Sequence, residues 1–235
     1  MILAFESTAK VASVALMKNG SVLCEYSVDA GLTQSELLLP MAEHCLGAVH
    51  KNFSDLSAVA CTVGPGSFTG VRIGVSTVKG IAFGKNLPCI GVSTLEALAE
   101  NLRGLVGIFA AVMDARRSQV YNALFLSDGE TITRLTPDRA IALEQLSEEL
   151  AAYTDKDIYL VGDGYEVAMR YLSSKVLPLR KTPPALRSQR ADTCAAVAER
   201  MLSQGLAVSD RALSPTYLRL PQAERERLEK EQNEK

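Results

Sequence analysis

Val63-Gly64-Pro65-Gly66-Ser67-Phe68-Thr69-Gly70-Val71-Arg72 joins an apolar run, residues 56–63, to a segment in which Val71, Val75, Val78 and Ala82 recur at helical spacing. It therefore reads as strand, glycine turn, helix. Downstream, residues 89–92 form another apolar run, followed by Leu95, Leu98 and Leu102 at helical spacing. Strand and helix thus alternate, which argues for an α/β layer architecture. Upstream, residues 2–5, 11–17 and 22–28 read as strands, and Asn19-Gly20 supplies residues that tolerate positive φ, so the last two strands form a hairpin. From Ser35 the period changes to helical: Leu38, Met41, Ala42, Cys45 and Val49 share a face, with Glu36, Glu43 and Lys51 off it. Leu37 and Leu39 widen that face, and Pro40 is expected near the first turns, where a missing N–H is tolerated.

The second half opens with the apolar run 105–113, which ends at Asp114-Ala115-Arg116-Arg117. Residues 120–126 alternate, Ser127-Asp128-Gly129 turns the chain, and 131–135 can return as a partner strand. A helix over 143–150, a strand over 158–161 closed by Gly162-Asp163-Gly164, and a helix over 191–202 capped by Gly205 complete the pattern. Two lobes that each begin with strands and a hairpin resemble the duplicated halves of the actin, sugar kinase and Hsp70 superfamily. The expected fold is α/β: an actin-like ATPase (ribonuclease H-like) fold of two lobes with mixed sheets and flanking helices. No close internal sequence repeat shows the duplication. The expected division is an N-terminal lobe over 1–103, a C-terminal lobe over 104–220 whose last helix packs back on the first, and a charged, disordered tail over 221–235.

The chain has 235 residues, 47% hydrophobic and 22% charged, an ordinary globular balance with enough length for a core without disulfides or metals. Its formal net charge of -2 gives no sign of the basic surface of a protein that grips nucleic acid alone. Five cysteines without a CxxC pair point to buried thiols in a reducing compartment. The N-terminus enters a strand at once, so no secretory leader is expected. The run 105–113 is far shorter than the roughly 20 residues of a membrane helix. A cytoplasmic protein is expected.

The glycine turn allows close backbone approach, and free N–H groups at a helix start attract anions. Either Ser67 or Thr69 can cap that helix. No Gly-Lys-Ser/Thr follows, so it is not a Walker A loop, and a plain tight turn explains the glycines equally. Gly70 and Gly74 lie one turn apart, as do Gly80 and Gly84. Glycine within a helix costs about 1 kcal/mol relative to alanine, which tight packing on the sheet or on another subunit's helix could offset. His44 and His50 stand six apart and cannot form an i, i+4 zinc pair. Glu6 and Asp114, each ending a predicted strand, are the carboxylates best placed to face a cleft, as holders of a metal-bound water or as turn caps. Ser7 has no histidine nearby for a hydrolase triad.

The run 63–72, followed by Lys79-Gly80, resembles the hallmark of the bacterial TsaB (YeaZ) family. Ile2 through Thr8, Ser35-Glu36 with Leu39-Pro40, Gly91-Val92-Ser93-Thr94-Leu95, Asp114-Ala115-Arg116-Arg117 with Val120-Tyr121, and Pro215-Thr216-Tyr217-Leu218-Arg219 fit in the expected order. Glu6 replaces the family's usual aspartate, and Gln34 stands where histidine is frequent. The resemblance implies a non-catalytic scaffold of the complex that transfers a threonylcarbamoyl group to N6 of the tRNA adenosine beside the anticodon. Its partners would be the catalytic subunit TsaD and the small ATPase TsaE, with tRNA reached through the complex and a homodimer formed by the chain alone. TsaD carries a metal-binding His-x-x-x-His where this chain has Thr94 and Leu98. No catalytic or metal-ligating residue is therefore expected, nor a tightly bound cofactor; ATP or ADP and the metal would belong to the partners. The family's interface helices place the contact on Leu38, Met41, Ala42, Cys45, Phe68, Val71, Val75 and Val78. Glu6, Ser7, Gly64, Gly66 and Asp114 would line a vestigial cleft. One rival is an ATP-dependent phosphotransferase of the sugar and acetate kinase superfamily, but the first hairpin offers only Lys10 to a phosphate. A peptidase is the other, and it lacks both a triad and a metal set.

Overall fold

The computed structural model describes residues 1–29, 31, 33–116 and 118–219. The tail expected over 221–235, and Arg117 of the arginine pair, lie outside the described residues. The first lobe runs β1 (Ile2–Glu6), β2 (Ala12–Lys18), β3 (Ser21–Val28), α1 (Gln34–Ala48), β4 (Ala58–Gly64), α2 (Phe68–Ala82), β5 (Cys89–Ser93) and α3 (Thr94–Glu100). The second runs β6 (Val106–Asp114), β7 (Gln119–Asp128), β8 (Ile132–Arg134), β9 (Arg139–Ala142), α4 (Leu143–Leu150), β10 (Ile158–Val161), α5 (Tyr165–Leu172) and β11 (Leu179–Arg180). A last helix, α6 (Ala191–Ser203), follows.

The first sheet has the order β3-β2-β1-β4-β5. Strands β3, β2 and β1 are antiparallel neighbours, whereas β4 and β5 join parallel. The second sheet repeats that path as β8-β7-β6-β10-β11, again an antiparallel meander extended by two parallel strands. This is the duplicated, two-lobed actin-like architecture, and the repetition lies in the chain path although none is visible in the residues. The extra strand β9 pairs with the first half of β7 while β8 pairs with its second half.

Local chemistry sets these elements. Asn19 and Gly20 adopt φ of 51° and 75°, the paired left-handed geometry of a tight hairpin turn. Ser67 caps α2 by accepting a 3.2 Å hydrogen bond from the Gly70 N–H. Ser93 does the same for α3 through the Glu96 N–H at 3.3 Å. Pro40 lies deeper than expected, in the second turn of α1. Its ring points to solvent, where the opened carbonyl can be hydrated.

Each sheet is covered on both faces. Helices α1 and α2 bury Leu38, Met41, Ala42, Cys45, Val71, Val75 and Val78 with Phe5, Val14, Val59 and Cys61 of the first sheet. Helix α6 covers the other face, setting Cys194, Ala195 and Ala198 against Ala4, Ala60 and Ile90. Helix α3 joins the lobes by packing Leu95 and Leu98 on Phe109, Met113 and Phe125 of the second sheet. The outer face of that sheet is closed by α4 and α5.

Candidate functional site

The glycine loop is filled by its own chain. A Cβ on Gly66 would lie 2.6 Å from both the Thr8 Cβ and the Thr8 carbonyl oxygen, and one on Gly64 would lie 2.5 Å from the Thr216 carbonyl oxygen. On α2, a Cβ at Gly70 would meet the Ser7 carbonyl oxygen at 1.9 Å, and one at Gly74 the Ser7 hydroxyl at 2.6 Å. Hydrogen bonds fix the contact: Ser67 N–H donates to the Thr8 carbonyl at 2.7 Å, and the Ser7 hydroxyl to the Gly70 carbonyl at 2.8 Å. The β1–β2 turn and the C-terminal segment thus pack directly against the glycine loop. Of the two readings of the glycines, close packing within the chain is the one observed at Gly64, Gly66, Gly70 and Gly74.

Both cleft carboxylates serve as turn caps. Glu6 is fully buried at the end of β1, where its Oε1 accepts from the Thr8 N–H at 2.6 Å and the Thr8 hydroxyl at 2.5 Å. Its Oε2 is buried without a hydrogen-bond partner. Burial is the main cause that raises its pKa, with a smaller push from the Asp163 charge, against the lowering effect of the Thr8 hydrogen bonds. Asp114 is exposed at the end of β6, and its Oδ1 accepts from the Arg116 N–H at 2.7 Å. Among the described residues, no three His, Cys, Asp or Glu side chains are grouped to hold a metal. Thr94 and Leu98 are completely buried on α3. Leu98 packs between the lobes, with its Cδ1 3.0 Å from where a Gly162 Cβ would stand. His44 is exposed beside Tyr26, ring centroids 6.2 Å apart, and His50 is exposed beyond the end of α1.

Seven of the eight expected interface residues lie in this chain's own core. Leu38, Met41, Ala42, Cys45, Val71, Val75 and Val78 are all buried against this chain's own sheet. The apolar stripe of each helix covers the strands, because a sheet face left bare would expose Phe5, Val14 and Cys61 to water. Only Phe68, half-buried at the start of α2, reaches the surface. The opposite faces carry the open surface: Ser35, Leu39 and Pro40 on α1, and Thr69, Arg72, Ser76 and Gly80 on α2 are exposed. An open groove of about 390 Å³ lies there, lined by Ser35, Phe68, Thr69, Arg72, Ile73, Ser76 and Thr77. Among the described residues nothing stands within 4 Å of a Cβ built on Gly80, so none of them offsets its helix-weakening effect.

A contact set unforeseen from the sequence ties the motifs together. The ring of Tyr217 stacks on Phe68 at 4.5 Å, Arg72 Nε donates to the Tyr217 hydroxyl at 2.9 Å, and the Thr216 N–H donates to the Val63 carbonyl at 2.7 Å. Farther on, Arg219 donates to the Ala115 carbonyl at 2.7 Å. In the sequence this proximity is signalled by the segment 215–219 fitting the same family resemblance as Phe68, Arg72 and Ala115.

Residues 29–227 match the model of the family described as TsaD, tRNA N6-adenosine threonylcarbamoyltransferase. The tRNA threonylcarbamoyladenosine biosynthesis protein TsaB of Escherichia coli is 31% identical, over 93% of this chain and 94% of that protein. Its Bacillus subtilis counterpart is 32% identical over 68% of this chain and 70% of its own length. YeaZ from Pseudomonas aeruginosa superposes with a TM-score of 0.75 at 24% identity, covering 92% of this chain and 99% of that one. With a TsaB relative 31% identical along nearly its whole length, the chain belongs to the TsaB (YeaZ) family.

Proposed function

We propose that this chain is a non-catalytic subunit of the machinery that forms threonylcarbamoyladenosine in tRNA, and that it docks to a TsaD-type catalytic subunit through the outer faces of α1 and α2. The close packing of the glycine loop supports the reading: Ser7, Thr8 and Thr216 press against Gly70, Gly66 and Gly64 at distances that no side chain would tolerate, so the loop serves as an internal joint of the lobe. Glu6, buried and shifted toward its neutral form, is ill suited to hold a metal-bound water. In this reading the chain needs no nucleotide or metal of its own; those belong to the catalytic subunit and to the small ATPase TsaE. No described helix is long and apolar enough to cross a membrane, which is compatible with work in the cytoplasm, where tRNA would be met through the complex. The exposed stripe Thr69, Arg72, Ser76 and Gly80 is the docking surface, and in the absence of the partner two copies pair through it.

Size-exclusion chromatography with light scattering tests this, on the chain alone and mixed with the catalytic subunit of the same organism. The expected result is a homodimer that converts to a heterodimer, and conversion is lost with Ser76→Arg. Ser76 is exposed, so the substitution changes monomer stability by no more than about 0.5 kcal/mol. A chain that ignores the partner, or that hydrolyses ATP alone, overturns the proposal.

A further inference from the structure

The segment after α6 runs back across the molecule as a strap. Val208 forms a bridge with Cys89, through N–H to carbonyl bonds of 2.9 and 2.8 Å. Leu213 is buried at 3% exposure, and Lys79 Nζ donates to its carbonyl at 3.0 Å. Thr216 and Tyr217 then seat on the glycine loop and on Phe68, and Arg219 ends in the other lobe. There its guanidinium also donates to the Gln119 side chain and lies 5.5 Å from the Tyr121 ring. The strap thus links the start of α2 to the β6–β7 turn.

Its middle also shapes the groove. Arg72 and Phe68 line that groove, and the Arg72 guanidinium lies 3.9 Å over the Phe68 ring while its Nε is spent on Tyr217. The terminal nitrogens of Arg72 make no hydrogen bond among the described residues and remain free for an acceptor on an incoming surface. A long side chain held in one orientation loses less entropy on docking.

We propose that Tyr217 is a positioning residue that presents Arg72 to the partner, and that Arg219 clasps the strap so that the docking face and the β6–β7 turn are energetically coupled. This rests on the reading of the α1–α2 outer face as the docking surface. An acceptor-bearing surface, a carboxylate or a row of carbonyls, is the chemistry that Arg72 would engage.

The test is calorimetric titration of the full chain with the catalytic subunit, comparing wild type, Tyr217→Ala, Tyr217→Phe, Arg219→Ala and Ser76→Arg. Tyr217→Ala and Arg219→Ala are expected to weaken affinity about five-fold or more, the lower range of measured site-to-site coupling. Tyr217→Phe keeps the stack and loses only the hydroxyl bond, so its loss is expected to be smaller. Arg219 lies in the other lobe's contacts, so an effect there cannot come from a lost direct contact in the groove. Wild-type affinity in both Tyr217→Ala and Arg219→Ala, with Ser76→Arg abolishing binding, overturns the clasp and spares the docking face. Undiminished binding by Ser76→Arg removes the docking face, and the clasp falls with it. Should Tyr217→Ala fail to fold, Arg219→Ala and Tyr217→Phe decide the matter by the same criterion.

Discussion

One amino-acid change, glycine to alanine, should act with opposite signs at two positions of the same helix. At Gly80, in the last turn of α2, a Cβ meets nothing within 4 Å. The substitution removes glycine's helix penalty, a gain of up to about 1 kcal/mol that is reduced near a helix end. At Gly70 the same propensity gain is available, but the added Cβ would lie 1.9 Å from the Ser7 carbonyl oxygen, a backbone atom. An ordinary contact there needs more than 3 Å, so the β1–β2 turn or the start of α2 must move by over an ångström. Such movement strains the Ser7 hydroxyl bond to Gly70 and the Ser67 bond to Thr8, each contributing about 1 kcal/mol. Overpacking of this kind costs about 1–3 kcal/mol, more where backbone is hit, so a net loss of about 2–4 kcal/mol is expected for Gly70→Ala. Urea denaturation at concentrations low enough for the chain to be monomeric, followed by far-ultraviolet circular dichroism, measures both variants. If Gly70→Ala unfolds at or above the wild-type midpoint, the close packing of the glycine loop on Ser7 is wrong. If Gly80→Ala is destabilised while Gly70→Ala is not, the two glycines have been assigned in reverse.

Other consequences follow from burial. Glu6 has a folded-state pKa above its unfolded value, so its stabilising effect is fully present below about pH 4.5 and is lost as pH rises through the raised pKa. Glu6→Gln should therefore raise the urea midpoint at pH 7 and flatten the fall in stability from acid to neutral pH; an unchanged pH profile refutes the assignment. Val75→Arg, at 4% exposure in the α2 core, should destabilise the monomer by about 3 kcal/mol or more, rather than merely block docking; a well-folded variant by thermal melting would put Val75 on the surface. Cys45, Cys61, Cys89 and Cys194 are buried thiols whose pKa values burial raises, so Ellman's reagent should reach the half-buried Cys24 first and the rest only on unfolding; rapid modification of all five in the native protein contradicts this core.

The strand path of the first lobe was readable because its signals are local. Asn19-Gly20 encodes the hairpin in two residues, and alternation does the rest. Strand β10 and helix α6 were likewise bounded closely, by glycines or by an uninterrupted helical period. Strands β9 and β11 were missed: four and two residues carry too little pattern, and β9 exists only because β7 is long enough to pair with two partners. Helix α5 was missed because its two turns offer a single stripe, Tyr165, Ala168 and Leu172, behind a glycine turn that also fits a loop. That the expected interface stripe is buried in this chain's own core has a different reason. Periodicity says which residues share a face, but not whether that face meets the chain's own sheet or another molecule; the first demand is met before the second. Thus Val75 belongs to the fold, and Ser76, one residue on, faces the groove.

The glycine loop shows how a ligand-binding geometry can survive as an internal joint. A loop of Gly64, Gly66 and Gly70 lets another backbone approach closely, and nothing in its conformation distinguishes a phosphate from a peptide. Here the approach comes from Ser7, Thr8 and Thr216, whose carbonyl oxygens crowd the positions where side chains would otherwise stand. Leu98 is likewise pressed between the lobes against Phe109 and Met113. Both contacts use residues from distant parts of the chain, so changing either would disturb packing that stabilises the fold. The outer stripe of α2, proposed above as the docking face, is left open: Gly80 has space beside it and Arg72 has terminal donors without partners among the described residues.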